Sequence, residues 1–303
     1  LNSIKPGQIR NLAEALKCRV VGRTEVILDI FARRAKSAES KIQVELAQLK
    51  YLLPRLKGLG GVLSRLGGGI GTRGPGEKMI ETDRRHIERR ISTLKRKLDG
   101  ISRHRKLVRT ARKDLVRGAV VGYTNAGKST LINVLAKDDL FVEDRLFATL
   151  DAYTRSVYLD EERKLLLTDT VGFIRNLPAN LIESFKSTLE EITEADFLIH
   201  VVDASSGDPQ SAFNTVVQQI EELKASHKLA VVFYNKIDKC LRNECCYDIQ
   251  RNNHTTIYGS ALSGEGIDAL KSALREMHDS VIRQRHMEPE YFSRKKTFSR
   301  VSS

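Results

Sequence analysis

Tryptophan is absent from this sequence of 303 residues, and all aromatic residues together make up only 6% of it. Long apolar runs are missing as well, since none approaches the roughly 20 residues that a helix needs to cross a bilayer. The opening segment, LNSIKPGQIRNL, lacks the hydrophobic core of a signal peptide. We therefore expect no integral membrane segment. Because the chain does not begin with methionine, we expect the true N-terminus to lie upstream.

Cysteine is scarce, and the spacing of the few cysteines excludes two common uses. The four residues fit neither a paired zinc motif nor the disulfide framework of a secreted protein; they are Cys18, Cys240, Cys245 and Cys246. We interpret them as reduced thiols in a cytoplasmic protein, which we expect to be a monomer.

The positive charge is concentrated in the first part of the chain. Residues 1–117 hold 29 Lys and Arg against 11 Asp and Glu, a net charge of +18, whereas residues 118–303 carry −5. This asymmetry favours a nucleic-acid-binding extension joined to a nearly neutral globular part. A pair of solvated charged helices would give the same asymmetry, and composition alone does not separate the two interpretations.

Two helical heptad segments follow a short N-terminal region. Within residues 1–35 we expect the end of a small α/β subdomain, with a helix over Gln8–Leu16 and strands over Cys18–Val21 and Glu25–Phe31. Residues 36–116 then place apolar side chains at alternating spacings of four and three, which predicts a coiled-coil hairpin. The two seams are Ile42, Leu46, Leu49, Leu53 and Leu56 in the first helix, and Ile80, Ile87, Ile91, Leu94, Leu98, Ile101 and Val108 in the second.

The predicted hairpin tip, residues 58–76, contains nine glycines in nineteen residues. It includes the pattern G-x-G-x-x-G at 69–74, which in a dinucleotide-binding domain follows a strand and opens a helix that packs on the sheet. Neither element is predicted here, so we reject a dinucleotide site. The basic residues of the tip and its flanks are the candidate RNA contacts: Lys57, Arg65, Arg73 and Lys78.

Residues 117–283 alternate strands with helices, which predicts a doubly wound α/β domain with a parallel sheet. The expected strands are Ala119–Val121, Arg155–Leu159, Leu165–Asp169, Phe197–Asp203, Ala230–Tyr234 and Thr255–Tyr258. One helix is expected to begin at Lys128, and three more are expected over Leu181–Ile192, Ser211–Ala225 and Gly266–Val281. The remaining residues, 284–303, show no clear period and are predicted to form a tail.

The motif that carries the chemistry is G-x-x-x-x-G-K-S, placed between a strand and a helix. In this context backbone N–H groups surround a β-phosphate, the lysine reaches the β- and γ-phosphate oxygens, and the serine is a ligand of Mg²⁺. A chance glycine-rich turn rarely has this context. The candidate phosphate-binding residues are Gly122, Tyr123, Thr124, Asn125, Ala126, Gly127, Lys128, Ser129 and Thr130.

A second motif, D-T-V-G, ends a predicted strand. Asp169 is placed to join the Mg²⁺ shell, and the amide of Gly172 to sense a γ-phosphate. Upstream, the segment Phe147–Asp151 offers Thr149 as the hydroxyl that completes the Mg²⁺ shell, with Thr154 and Thr168 as competitors. We assign phosphate stabilisation during catalysis to Lys128, Thr149 and Gly172.

The base-reading residues come last. In N-K-I-D, the carboxylate of Asp238 can accept both N1–H and N2–H of guanine, which adenine does not offer, so GTP and GDP are expected rather than ATP. Lys236 can pack over the base, beside Asn235. After the last strand, a backbone N–H of the segment Ser260, Ala261 and Leu262 can reach guanine O6.

Together these segments resemble the translation-factor-related P-loop GTPases, and specifically the HflX family of ribosome-associated GTPases. The resemblance includes TEVILDIFARRA, QVELAQLKYLLPRL, GGIGTRGPGEK, FATLDAYTR, DTVGFI and NKID, and it covers nearly the whole chain. It implies GTP hydrolysis, binding to the large ribosomal subunit with the glycine-rich tip in ribosomal RNA near the peptidyl transferase centre, and the splitting or rescue of ribosomes. The chain departs from the family at 151–154, which read Asp-Ala-Tyr-Thr instead of Asp-Pro-Thr-Thr.

Three further expectations concern the mechanism. Phe173 stands where many GTPases have a glutamine that orients the attacking water. The residue at this position is usually exposed, and a phenyl ring cannot orient water, so we predict slow intrinsic hydrolysis. Asn125 resembles the asparagine that holds K⁺ in some GTPases without this glutamine, so K⁺ is a candidate cofactor. The switch following Gly172, over Phe173–Leu181, is expected to change its order with the γ-phosphate.

Two other function classes compete with ribosome binding. The coiled coil could bind a protein partner or dimerise in a GTP-dependent switch, a contact that would depend less on salt than RNA binding does. The basic arm could instead bind anionic lipid, although it lacks interfacial tryptophan and an amphipathic membrane face.

Overall fold

The computed structural model describes residues 4, 6–63, 75–110, 115–137, 151–175, 184–240 and 255–298. The chain divides into two units. The helical unit comprises Leu1–Ala111 and Asn176–Thr188, and the sheet unit comprises Arg112–Arg175 and Leu189–Ser303.

Four helices build the first part of the helical unit: α1 (Pro6–Leu16), α2 (Arg23–Arg34), α3 (Ala38–Leu63) and α4 (Pro75–Thr110). The strand predicted over Glu25–Phe31 is wrong, because these residues lie in α2, and no strand forms over Cys18–Val21. The helix begins where the Glu25 carboxylate accepts the Gly22 N–H at 2.7 Å, and it buries three apolar side chains at helical spacing, namely Ile27, Leu28 and Phe31.

Helices α3 and α4 pack against each other as an antiparallel pair. Two ion pairs show the orientation. Arg90 donates to both carboxylate oxygens of Glu45, at 2.6 and 2.9 Å, and Arg105 pairs with Glu39. Because Glu39 precedes Glu45 in α3 whereas Arg105 follows Arg90 in α4, the two helices run in opposite directions. The predicted length of about 35 residues for the second helix is close to the observed 36, or about 54 Å.

The helices extend further towards the hairpin tip than the sequence predicts. Helix α3 continues to Leu63 and α4 begins at Pro75, so both ends of the predicted tip at 58–76 are helical. Glycine lowers helix propensity by about 1 kcal/mol without excluding a helix, which explains why the boundary at Gly58 was placed too early. Of the predicted seam only Leu46 and Leu94 are fully buried, and the other described seam residues are partly exposed.

The second piece of the helical unit contributes an aromatic contact. The ring of Phe185 packs edge-on against Phe31 of α2, with the ring centroids 4.9 Å apart. Both side chains are almost fully buried. This contact gives the helical unit a small apolar core beside the helix pair.

The sheet unit is a mixed six-stranded sheet with the spatial order β2-β3-β1-β4-β5-β6. All neighbouring strands are parallel except β2, which pairs antiparallel with β3 at one edge. The strands are β1 (Val116–Gly122), β2 (Tyr153–Tyr158), β3 (Lys164–Asp169), β4 (Phe197–Asp203), β5 (Leu229–Asn235) and β6 (Thr255–Tyr258).

Helices follow these strands as expected for a doubly wound fold: α5 (Lys128–Ala136), α6 (Lys186–Glu194), α7 (Pro209–Glu222) and α8 (Ile267–Phe298). The predicted α/β fold is therefore confirmed. Strands β1, β3, β4 and β5 are almost continuously buried, as in a sheet covered on both faces. The ends of these parallel strands lie at one edge of the sheet, which is where such folds place their ligands.

Helix α8 is longer than the sequence predicts, since it continues through most of the expected tail to Phe298. Its first half is fixed to the β2–β3 hairpin by charged groups. Arg163 contacts both carboxylate oxygens of Asp279, at 2.9 and 3.1 Å, and also Asp160 at 3.0 Å. The hydrogen bonds from Arg163, together with one from His278, hold the pKa of the Asp279 carboxyl down at about 2.

The two described cysteines differ from each other. Cys18 is a free thiol at the surface, whereas Cys240 is disulfide-bonded. The expectation of reduced thiols is therefore wrong for Cys240. A single bridge needs only two cysteines within reach of each other, and so it leaves no framework of spacings to recognise.

Candidate functional site

The loop between β1 and α5 has the backbone of an anion-binding turn. Asn125 and Gly127 adopt left-handed conformations, with φ of 63° and 92°. Such residues turn successive backbone N–H groups towards one concave face. Gly127 is also required sterically, because a Cβ atom there would collide with the side-chain amide of Asn235. The loop ends at Lys128, where the positive end of the α5 dipole adds to the field.

Lys128 is a buried cation, with 6% of its surface exposed. Its Nζ donates to the carbonyls of Gly122 and Tyr123, at 3.4 and 3.2 Å. Burial lowers the pKa of this ammonium group to about 8; Asp169 raises the pKa in part and Lys236 lowers it further. A charged group that is held out of water in this way is stabilised by an anion placed beside it.

Ser129 and Asp169 are brought together by α5 and the end of β3. The serine Oγ donates to the carboxylate at 2.5 Å, and Asp169 is only 5% exposed. A hydroxyl and a carboxylate at the end of a phosphate-binding loop are the hard oxygen donors that suit Mg²⁺. These residues therefore fit a magnesium ion.

The residues that follow β3 lie directly against the phosphate-binding loop. Phe173 N–H donates to the Gly122 carbonyl at 3.0 Å, and Thr124 N–H donates to the Phe173 carbonyl at 2.8 Å. Gly172 has no room for a side chain, since a Cβ atom would lie 2.7 Å from Thr124 Cα and 3.0 Å from Lys128 Nζ. A displacement of this segment would therefore also displace the phosphate-binding loop.

The expectation that Phe173 is exposed is wrong, because only 3% of its surface is accessible. The two backbone hydrogen bonds hold this residue as an extra pairing position beside β1. Its side chain is thereby carried into the interior. Burial gives the phenyl ring a packing role and still leaves it unable to orient water.

Asn235, the last residue of β5, joins the phosphate-binding loop to the loop after β6. Its Nδ2 donates to the Ala126 carbonyl at 2.9 Å, and its Oδ1 accepts the Ala261 N–H at 2.8 Å. Asn235 is 2% exposed, so both bonds are protected from water. The Ala261 amide, which belongs to the segment whose N–H groups the sequence offers for guanine O6, has this asparagine as its partner in the structure.

Lys236 reaches back over the phosphate-binding loop from a left-handed backbone, with φ of 67°. Its Nζ donates to the Asn125 carbonyl and to the Asp203 carboxylate, both at 2.7 Å. Asp203 was missed by the sequence analysis. It ends the buried strand β4, as Asp169 ends β3, and a carboxylate in this position was the signal that could have identified it.

The remaining residues that were predicted to read the base follow the same strand ends. Asp238 is exposed, within a short 3₁₀ helix at Ile237–Lys239. Ser260 is fully buried, and its Oγ accepts the N–H groups of Leu262 and Ser263, both at 3.2 Å. This serine therefore shapes the loop that carries Ala261.

Several predicted site residues lie outside what the structure describes. Phe147 and Thr149, as well as Arg65 and Arg73, fall outside the described residues. Lys57 lies in α3 and Lys78 in α4, and the structure describes the backbone but not the side chain of each. Thr130 is partly buried in the first turn of α5. Across the described ranges, no helix combines the length and apolarity that crossing a membrane requires.

This arrangement, with a phosphate-binding loop tied to an N-K-I-D loop on a doubly wound sheet, defines the class of P-loop GTPases. Three family models match successive parts of the chain. They are "GTP-binding GTPase N-terminal" over residues 1–32, "GTP-binding GTPase Middle Region" over 34–112 and "50S ribosome-binding GTPase" over 117–236.

Curated relatives identify the family. A GTPase HflX of Caldanaerobacter subterraneus is 52% identical over 88% of this chain and 61% of its own length. The HflX proteins of Escherichia coli K12 and Spirochaeta thermophila are 42% and 40% identical, over 91% and 90% of this chain and 65% and 67% of their own lengths. The chain belongs to the HflX family. It spans about three fifths to two thirds of the length of these relatives.

A solved structure shares the fold over most of the chain. It is a GTP-binding protein from the archaeon Sulfolobus solfataricus in complex with GDP, 26% identical, with a TM-score of 0.53. The match covers 92% of this chain and 79% of the archaeal one.

Proposed function

We propose that this protein binds GTP, hydrolyses it to GDP and phosphate, and acts on the large ribosomal subunit. The observation that carries the nucleotide part is the pair of hydrogen bonds made by Asn235. They join the loop that would hold phosphates to the loops that would read the base. Through this one buried side chain, the two loops would be positioned for the two ends of a single nucleotide.

Phosphate binding and charge stabilisation follow from the residues around Lys128. Its ammonium group and the N-terminus of α5 would face the β- and γ-phosphates. Ser129 and Asp169, with Thr149, would hold Mg²⁺, which supplies charge neutralisation on the phosphate oxygens when it is bound. The close packing of Gly172 on Thr124 would let its amide follow the presence of the γ-phosphate.

Specificity for guanine would depend on Asp238. Its carboxylate accepts N1–H and N2–H together, whereas adenine presents an acceptor at N1. The exposed position of Asp238 leaves the carboxylate accessible to a base. Lys236, held by Asp203 and by the Asn125 carbonyl, would cover one face of that base.

Hydrolysis by the isolated protein is expected to be slow. In the switch, Phe173 supplies no hydrogen bond to water, and its side chain is buried. Another group must therefore position the attacking water, and we assign this task to the ribosome-bound state. Asn125 would hold K⁺ if a monovalent cation assists; an equal rate in Na⁺ and K⁺ would exclude that role.

The ribosomal part of the proposal depends on charge. The first 117 residues carry a net charge of +18, and the phosphates of ribosomal RNA form a polyanion that attracts such a surface. The hairpin tip, with Lys57, Arg65, Arg73 and Lys78, would enter RNA near the peptidyl transferase centre. The consequence would be the splitting or rescue of ribosomes by a monomeric factor.

The decisive experiment compares GTP hydrolysis with and without purified large subunits. We expect strong stimulation by large subunits, and much less when residues 64–74 are replaced by a short Gly-Ser linker that leaves both helices intact. GDP affinity serves as the control and should be equal in both proteins. If large subunits do not stimulate hydrolysis, the ribosomal part of the proposal fails.

A further inference from the structure

The outer face of α4 carries a regular row of arginines. Between α3 and α4 the contact seam uses positions spaced by four and three residues, such as Ile87, Ile91 and Leu94. In the heptad that this seam defines, the position farthest from α3 is occupied by Arg89, Arg96 and Arg103, called here the outer arginine row. Successive members are seven residues apart, which is about 10.5 Å along the helix and about 20° in angle.

The outer arginine row differs in its partners from four other arginines of α4. Arg84 pairs with Glu88, Arg85 with Glu81, and Arg90 and Arg105 with carboxylates of α3. All three members of the row are exposed. Across the described residues, no ion pair includes any of these three guanidinium groups, although Asp99 lies near two of them in sequence.

The residues between the arginines exclude one kind of partner. From Arg85 to Arg103, the outward-facing heptad positions hold only charged, polar or glycine residues, with Ser92, Thr93 and Gly100 among them. A stable protein interface needs an apolar core, and this face has none over about 27 Å. Small residues between the arginines let an extended polyanion approach the helix closely.

We propose that the outer arginine row binds phosphates of an RNA backbone. A guanidinium group can donate two parallel N–H bonds to one phosphate. The row would make up to three such contacts on a helix face that is separate from the hairpin tip. This inference rests on the proposed ribosomal function and adds to it a second RNA-binding surface.

The test uses the triple variant Arg89→Gln, Arg96→Gln, Arg103→Gln and purified large ribosomal subunits. A matched control replaces three exposed lysines outside α4, Lys41→Gln, Lys137→Gln and Lys224→Gln, so that the change in net charge is equal. Affinity is measured over a series of salt concentrations for both variants and for the unchanged protein. Helix content and GDP affinity establish that each variant is folded.

Each phosphate contact contributes close to one unit to the slope of log affinity against log salt concentration. We therefore expect the row variant to lose about two to three units of slope, and at least about tenfold in affinity near physiological salt. The control variant should lose less than one unit, since its lysines are scattered over the molecule.

Three results would overturn the inference. Equal slopes for the row variant and the unchanged protein would show that the row makes no phosphate contact, and would leave the ribosomal function standing. A loss of affinity that does not depend on salt would indicate a protein partner. If the unchanged protein does not bind large subunits at all, the ribosomal function and the row inference fail together.

Discussion

The sheet unit and the helical unit use their basic side chains in opposite ways. Lys128 and Lys236 of the sheet unit are largely buried, and each reaches carbonyl or carboxylate oxygens at fixed distances. Arg89, Arg96 and Arg103 of the helical unit are exposed and are placed only by the period of their helix. The first arrangement suits one small ligand in one orientation, and the second suits a long polyanion that is read by its charge.

This contrast has an energetic basis. A buried cation is destabilising unless its partners are fixed, so the sheet unit needs β1, β4 and β5 to bring those partners together. Exposed charges act through water and depend on salt. Changes at the nucleotide site should therefore have large effects that depend little on salt, whereas single changes on the helix pair should have small ones.

The largest effect is expected for Lys128→Ala. It removes a charged donor from the phosphates, which is worth about 2–3 kcal/mol, so GDP affinity should fall on the order of 100-fold. Fluorescent GDP titration measures this, with Lys224→Ala as the control for loss of an exposed lysine. A GDP affinity within a few fold of that of the unchanged protein would contradict the contrast between the buried cations of the sheet unit and the exposed ones of the helical unit.

Asn235→Ala tests the tie between the loops. The substitution leaves the Ala126 carbonyl and the Ala261 N–H buried without their partner, which should lower the free energy of unfolding by about 2–4 kcal/mol. Urea denaturation measures the change, and Asn214→Ala, at an exposed position on α7, is the control. A variant as stable as the control would mean that Asn235 does not hold the site together.

Two carboxylates compare the units directly. Asp203→Asn weakens the partly buried contact between Asp203, whose side chain is 22% exposed, and Lys236, whose side chain is 16% exposed. The substitution should weaken GDP binding about fivefold. Glu45→Gln weakens an ion pair whose side chains are 38% and 49% exposed, and should change neither GDP affinity nor thermal stability measurably. The reverse order of effects in GDP titration and thermal unfolding would contradict the contrast.

The smallest change that we expect to be measurable concerns pH. Lys128 has a lowered pKa of about 8 in the protein without nucleotide, and phosphate binds the protonated form. GDP affinity should therefore be highest below this pKa, where Lys128 is protonated, and should fall as the pH rises through it. The expected decrease between pH 7 and 8.5 is roughly fourfold. Calorimetry in two buffers of different ionisation enthalpy should detect proton uptake on binding at pH 8. No uptake would show that Lys128 is already charged.

Much of this architecture could be predicted because local sequence decides it. The phosphate-binding loop, the strand Phe197–Asp203 and the strand Thr255–Tyr258 lie where the motifs and apolar runs place them. The segment Glu25–Phe31 was misjudged because its apolar cluster is too short to separate the two periods, and packing decided for a helix.

Other features depend on contacts between distant parts of the chain. Asn235 was assigned to the base-reading loop, yet its partners lie 109 and 26 residues away. The burial of Phe173 results from pairing with Gly122 and Thr124, which no pattern near Phe173 reveals. Asp203 became a site residue only when β4 was placed beside β5.

The central claim is that the sheet unit reads guanine through Asp238, and the substitution Asp238→Asn tests it most directly. Xanthine carries a carbonyl where guanine has its 2-amino group, so an asparagine amide can donate to it while still accepting N1–H. The measurement is the affinity of both proteins for GTP and xanthosine triphosphate. We predict that the variant loses GTP affinity by on the order of 100-fold and gains affinity for xanthosine triphosphate. Unchanged preference for GTP in the variant would contradict the account.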